Sequence, residues 1–243
     1  MPGWDWSAFG RYLLSPYLLE GAWTTVWLSV VTMTLGLGLG LLAALMNMSR
    51  HGALQRAAHF YIWLMRGTPL LVQLIIIYTG LPQVGIRLTV VQSALLGLSL
   101  NEGAYLSEII RAGILSVPRG QFDAARAVGM TYPILMRVVV LPQAARVIIP
   151  PLGNNFNGLL KTTSVTSVIS MEELLRRGQM LIQVDFKVLE IFVVAACYYL
   201  VLTSLWSMVQ RRLEAHFGRS LDAAAGGRSR RAVDRVLQEQ DLR

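Results

Sequence analysis

Apolar residues fill long stretches of this chain, and the short segments between them collect arginine, proline and glycine. The longest run without a charged residue covers positions 21–49; as a helix it would reach roughly 44 Å, enough to cross a bilayer core of about 30 Å with some tilt. Positions 67–86 and 191–210 are also charge-free and of span length. The pattern predicts five spans, at 21–46, 58–81, 88–115, 138–165 and 189–210. The expected fold is therefore an all-α polytopic membrane protein with about five transmembrane helices. Residues 1–20 mix Trp4, Trp6, Tyr12 and Tyr17 with Asp5, Arg11 and Glu20, which suits an interfacial segment. Residues 171–183 read as a second short amphipathic helix on that same face. Residues 21–213 form the predicted membrane domain, and residues 214–243 a tail expected to be loosely ordered.

Charge gives the spans a direction. The 47–57 connection holds Arg50 and Arg56, the region from Arg111 to Arg146 carries five arginines against Asp123 alone, and the tail from Arg211 carries eight arginines and five acids. With five spans these three regions share one side, so they are expected to be cytoplasmic, with the N-terminus outside and the C-terminus inside. The first apolar run follows Asp5 and Glu20 with no basic segment ahead of it, so the first span is expected to stay in the mature protein. The net charge of +8 would suggest nucleic acid in a soluble domain. With 54% hydrophobic and only 15% charged residues, it is instead read as the arginine excess of cytoplasmic loops. Cys197 stands alone, and no Cys/His spacing suits a metal.

Two segments depart from a plain membrane pattern. The fourth span holds Pro142, Pro150, Pro151, Gly153, Asn154, Asn155, Asn157 and Gly158, so a kink or interruption is expected through 150–158. Tight packing through small residues and a wet cavity lining are both consistent with that composition. Between the third and fourth spans, Pro118 ends one helix and another is predicted from Gln121, with Asp123 in its first turn and Gly129 at its end. Ala124, Ala125 and Ala127 permit close approach, while Phe122, Val128 and Met130 offer apolar anchors for a partner's groove.

Asp123-Ala-Ala-Arg-Ala-Val-Gly129, with Leu141-Pro142 at its set distance, resembles the cytoplasmic loop of ABC-importer permeases with the pattern E-A-A-x3-G-x9-I-x-L-P. Asp123 replaces the Glu and Val139 the Ile. The stretches 66–73, 103–114, 118–121, 141–144, 151–156 and 159–164 also run in the order of the polar amino-acid uptake subfamily, and the resemblance covers roughly 18–213. It implies a short cytoplasmic coupling helix between the third and fourth spans, with Phe122, Asp123, Ala124, Ala125, Ala127, Val128 and Gly129 docking on the ATPase. It implies a bacterial inner membrane, a cytoplasmic ABC ATPase dimer that carries ATP and magnesium, a second permease half and an extracytoplasmic solute-binding protein. No cofactor is expected on this chain, and no nucleic acid. Thr162 departs from the family, in which many relatives have Asp after the lysine, and this puts a cationic substrate in doubt.

Arg66, Glu102 and Lys161 lie inside predicted spans, where a lone charge costs about 2.5–3.5 kcal/mol at a helix centre. An amino-acid substrate presents one carboxylate and one ammonium, which Arg66, Thr68, Glu102, Lys161, Thr162 and Ser164 could complement, with Thr163, Asn154 and Asn155 nearby in sequence. Buried ion pairs from Glu102 to Arg66 or Lys161 would use the same residues and remain the alternative. Glu108 and Arg111, three apart, are read as a local ion pair. No G-x4-G-K-[ST] loop is present, since Lys161 and Lys187, the only lysines, follow Leu160 and Phe186. No H-E-x-x-H or G-x-S-x-G occurs either, which argues against an enzyme. An ion-coupled secondary transporter is the stronger rival, although Glu102 is the single mid-span carboxylate.

Overall fold

The structure, a computed structural model, describes residues 4–240, with side chains through Ala215. It is helical, with no strand among the described residues. Asp5 caps α1 (Trp6–Leu13) by accepting from the backbone amides of Ser7 and Ala8 at 3.1 and 3.0 Å. The first span, α2, runs from Pro16 to Asn47, starting five residues before the predicted 21. Pro16 explains the early start, because its missing N–H and fixed φ suit the first helical turn.

The predicted continuous second span is not one helix. It is α3 (Gly52–Gly67) and α4 (Leu70–Ile75), bent by 104°, with α4 followed by a π-turn at Ile76–Gly80 and a 3-10 turn at Leu81–Val84. Pro69 is the cause: it cannot donate to the helix ladder, and it holds Thr68 extended at φ −122°, ψ 147°. The third span, α5 (Val90–Leu115), starts at a capping box between Thr89 and Gln92.

Pro118 begins the short helix α6 (Arg119–Ala127), and α7 (Tyr132–Ile134) leads into a π-segment at Leu135–Val140. The interruption expected at 150–158 is absent: α8 runs unbroken from Leu141 to Thr162 through Pro150 and Pro151. The irregular backbone flanks it instead, as the π-segment before Pro142 and a 3-10 turn at Thr163–Ile169. Pro150 and Pro151 do not end the helix, which packs on both α5 and the last helix. After α9 (Leu174–Asp185), α10 runs from Val188 to Gln240. The tail predicted at 214–243 lies on this helix as far as Gln240, and its side chains beyond Ala215 are outside the described residues.

Among the described residues, three helical stretches are long and apolar enough to cross a membrane: Pro16–Asn47, Tyr132–Ile169 and Val188–Ala215. The bent pair makes a fourth if taken as one span. The 26-residue α5 is long enough too, yet it carries Glu102, Glu108 and Arg111. It can do so because it lies at the centre, against α2, α3, α4 and α8. Its contact with α2 is the most extensive in the bundle and depends on small residues. A Cβ on Gly40 would stand 2.8 Å from Leu106 Cβ, and one on Gly103 would stand 2.9 Å from Leu39 Cβ.

The bundle has two distinct ends. At one, Leu18 and Ala22 of α2 pack with Ala8, Tyr12, Leu174, Ile191 and Val194. At the other, Ala44 of α2 packs with Ile110, Ile114, Val117, Ala125, Leu135, Val140 and Ala144. The segments 1–20 and 171–183, assigned to one side by the charge count, therefore meet at one end of α2, and α6 sits at the other.

Candidate functional site

The α6 element is built by its two ends. Pro118 starts it with an extended backbone (φ −58°, ψ 137°), and Gly129 ends it at φ +79°, in the left-handed region that glycine alone enters without strain. The amide of Met130 donates to Ala125 O at 3.1 Å and that of Gly129 to Arg126 O at 2.9 Å, which is the Schellman arrangement. The helix divides its predicted docking residues between two faces. Ala125 is buried and Phe122 packs beside it, on the core made by α2, α5 and α8. Met130 packs there as well. Asp123, Ala124, Ala127, Val128 and Gly129 are exposed, and Val128 shows 72% of its surface. Of the three anchors expected for a partner, then, only Val128 faces outward, while Phe122 and Met130 attach α6 to its own bundle.

The predicted substrate residues are spread over α3, the bend after it, α5, the end of α8 and the turn that follows. Arg66 is exposed at the end of α3, with its guanidinium 5.2 Å from the Tyr105 ring centroid. Thr68 sits at the bend. Its hydroxyl donates to Leu64 O at 2.8 Å and accepts from Gln73 Nε2 at 2.8 Å. It also lines a cavity of about 230 Å³ whose walls include Met65, Val72, Gln73 and Gly97. Glu102 is buried beside Gly36 and accepts from Asn155 Nδ2. Lys161 is exposed on the last turn of α8, where the Thr162 hydroxyl donates to Gly158 O at 3.2 Å and that of Ser164 to Lys161 O at 2.6 Å.

Neither Arg66 nor Lys161 pairs with Glu102. The five ion pairs among the described residues are Arg111–Glu108, Arg126–Asp123, Arg177–Glu20, Arg177–Glu172 and Lys187–Asp5. The first is the local pair expected on α5, at 3.0 Å. In place of a cation, the amide of Asn155 meets Glu102.

Several polar side chains that the sequence reading left without a role organise this interior. Gln73 is buried, and its amide donates to Met65 O at 2.9 Å as well as to Thr68. Asn101 Nδ2 donates to Met65 O and to Gln73 Oε1, both at 3.1 Å. Together they pin the corner between α3 and α4 to α5. On α8, Trp206 Nε1 donates to Gly153 O at 2.8 Å, Gln210 Nε2 to Asn154 Oδ1 at 3.0 Å and Asn157 Nδ2 to Ser207 Oγ at 3.2 Å. The polar run 153–157 therefore joins α8 to α10 on one side and to α5 on the other. Uncharged amides inside apolar runs were the available signal for Gln73 and Asn101, while Asn154 and Asn155, expected near the substrate, pair here with Gln210 and Glu102.

At the opposite end, Glu173 is wholly buried and caps α9, accepting from the amides of Leu175 and Arg176 at 2.8 Å and from the Tyr199 hydroxyl at 3.0 Å. Burial pushes its carboxyl above the ordinary value, and the backbone donors pull the other way.

Comparison with known proteins gives this arrangement its context. The family model described as "Binding-protein-dependent transport system inner membrane component" matches residues 36–219. An arginine transport system permease protein, ArgU, of Corynebacterium glutamicum is 37% identical over 88% of this chain and 72% of its own. An L-cystine transport system permease protein, TcyB, of Bacillus subtilis is 42% identical over 84% and 88%. A glutamine transport system permease protein, GlnP, of Escherichia coli is 38% identical over 86% and 96%. Among solved structures, an amino acid ABC transporter crystallised with histidines superposes with a TM-score of 0.83 at 37% identity, covering 88% of this chain and all of that one. The inward-facing MetNI methionine ABC transporter shares the fold at 20% identity, with a TM-score of 0.70. None of these supports the ion-coupled alternative. The chain belongs to the family of binding-protein-dependent transport system inner membrane components, and it is a permease subunit of an ABC importer.

Proposed function

We propose that this chain is one transmembrane half of an importer for a polar amino acid, driven by a separate cytoplasmic ATPase dimer that binds ATP and magnesium. The observation that carries this reading is α6, a capped helix fixed to the bundle by Phe122 and Ala125. It presents Asp123, Ala124, Ala127, Val128 and Gly129 outward from the end of the molecule that the arginine count makes cytoplasmic. A lever needs both properties, a rigid attachment and a free face. Closure of the ATPase dimer on ATP would move α6, and the core of Ala44, Ile110, Leu135 and Ala144 would carry that rigid-body motion into α2, α5 and α8. A second permease half completes the pathway, and an extracytoplasmic binding protein delivers substrate beside α1 and α9.

The substrate class rests on the arginine, glutamine and cystine permeases that resemble the chain. Arg66, exposed beside Tyr105, is the group best placed to take a carboxylate, with Thr68 two residues away at the bend. Glu102 reaches a substrate ammonium only where Asn155 releases it. Lys161, Thr162 and Ser164 form a second polar set at the end of α8.

The test is reconstitution of the chain with its ATPase and second half in vesicles, with uptake of labelled polar amino acids followed. Uptake is expected to require ATP and to be lost in Gly129→Asp with membrane insertion intact. Uptake by this chain alone, in vesicles without ATP, would defeat the proposal.

A further inference from the structure

At the α6 end of the bundle, the connection after α2, the end of α6 and the start of the fourth span border an open cavity of about 560 Å³. It is lined by Met48, Arg50, Arg126, Met130, Tyr132 and Leu135. Arg50 and Arg126, from separate elements, both line it. Arg50 has no ion pair among the described residues, and Arg126 has only Asp123, exposed and 3.8 Å away on its own helix. A pair so long and so exposed neutralises little. Two like charges facing one space repel, and an anion between them turns that repulsion into attraction. The planar guanidinium fork suits phosphate oxygens in particular.

The apolar part of the lining separates one phosphate source from another. Free phosphate gains nothing from Met48, Met130 and Leu135, whereas a phospholipid places its glycerol and first methylenes next to its headgroup. Exposed Leu45, Ile134 and Val138 lie within a turn of Met48 or Leu135 and extend the apolar surface along the two spans. Tyr132, 65% exposed, is of the type that settles at the headgroup level. We propose that this cavity binds the phosphodiester headgroup of an anionic phospholipid from the cytoplasmic leaflet, with Arg50 and Arg126 gripping the phosphate. The bound lipid then ties the α2–α3 connection to α6. The choice of leaflet rests on the orientation proposed above, and the site itself does not depend on ATP-driven transport.

Native mass spectrometry of the full-length chain, purified in neutral detergent and supplied with equal amounts of phosphatidylglycerol and phosphatidylcholine, tests this. The wild type is expected to retain phosphatidylglycerol preferentially. Arg50→Gln and Arg126→Gln should each weaken that retention about fivefold, in keeping with the usual contribution of one basic residue at an anionic surface. Arg50→Lys should recover part of it, which separates lost charge from lost folding, and Arg87→Gln in the connection before α5 should change nothing. Inorganic phosphate at the same concentration should not displace the lipid. Undiminished retention in the double variant, an equal loss in Arg87→Gln, or displacement by free phosphate would each overturn the proposal. Because lipid retention is read on the isolated chain, its failure leaves the transport reading standing, and failure of transport leaves lipid retention measurable.

Discussion

Glu102 of α5 and Asn155 of α8 are hydrogen-bonded across the interior of the bundle, the amide Nδ2 donating to the carboxylate. Glu102 is 7% exposed, so Asn155 is the neutral partner that makes a buried acid tolerable there. Asn155→Ala is expected to lower stability by about 1–3 kcal/mol, because the acid left behind would be buried without a partner. Glu102→Gln should cost much less, since one amide can pair with another. Thermal unfolding of the two variants in detergent checks this, and equal losses would contradict it.

Gly129 tests the cap of α6. A Cβ built there meets nothing within 4 Å, so space alone predicts no effect for Gly129→Ala. The backbone predicts otherwise: at φ +79° an L side chain costs about 1–2 kcal/mol. The expected result is fraying of the last turn of α6 and weaker substrate-stimulated ATPase activity in the assembled complex, with the chain still inserted. Hydrogen exchange at Val128–Met130 reads the fraying directly.

Gly153 presents the reverse case, with an ordinary helical backbone and no room. A Cβ there would stand 2.7 Å from Cγ and Cδ of Gln210. Gly153→Ala is expected to cost about 1–3 kcal/mol by displacing the Gln210 side chain from its hydrogen bonds to Asn154 and Glu214. Adding Gln210→Ala should recover part of the loss, and thermal unfolding of the single and double variants measures the coupling.

How much of this was legible in the sequence depended on the kind of signal. Apolar runs found α2, α5 and the apolar first part of the last helix, because each is a sum over many residues. The limits of α6 were legible because Pro118 and Gly129 act through their own backbone. Proline was harder to read: Pro69 turned the chain through 104°, while Pro150 and Pro151 left α8 unbroken. α8 packs on both α5 and α10, neighbours that no sequence window contains. For the same reason Glu102 suggested a cationic partner, when the partner supplied 53 positions away was an amide.

The N-terminal helix should respond to acid. Backbone and side-chain donors from Ala8 and Ser7, together with Lys187, hold the Asp5 carboxyl well below its ordinary value of 3.8. A depressed carboxyl contributes stability that is fully present above the unfolded value and is lost as pH falls below it. Acidification below about pH 3.8 is therefore expected to loosen α1 from α10 progressively, down to the depressed folded value, and Asp5→Asn should remove that pH dependence. Fluorescence of Trp4 and Trp6, which stack edge-on at 5.5 Å, follows the release.

The pinned corner at Thr68 makes α3 and α4 the two arms of a bell crank. Gln73 fixes the angle from inside, and Asn101 supplies the pivot on α5. In such a linkage a push along one arm leaves the other as sideways travel, so sliding α3 along its axis sweeps α4 across the 163–169 turn against which it packs. A straight second span of the same length would only pass the push onward. The proline would thus turn a push along α3 into travel across it, and the two amide side chains would keep that turn from being absorbed as bending.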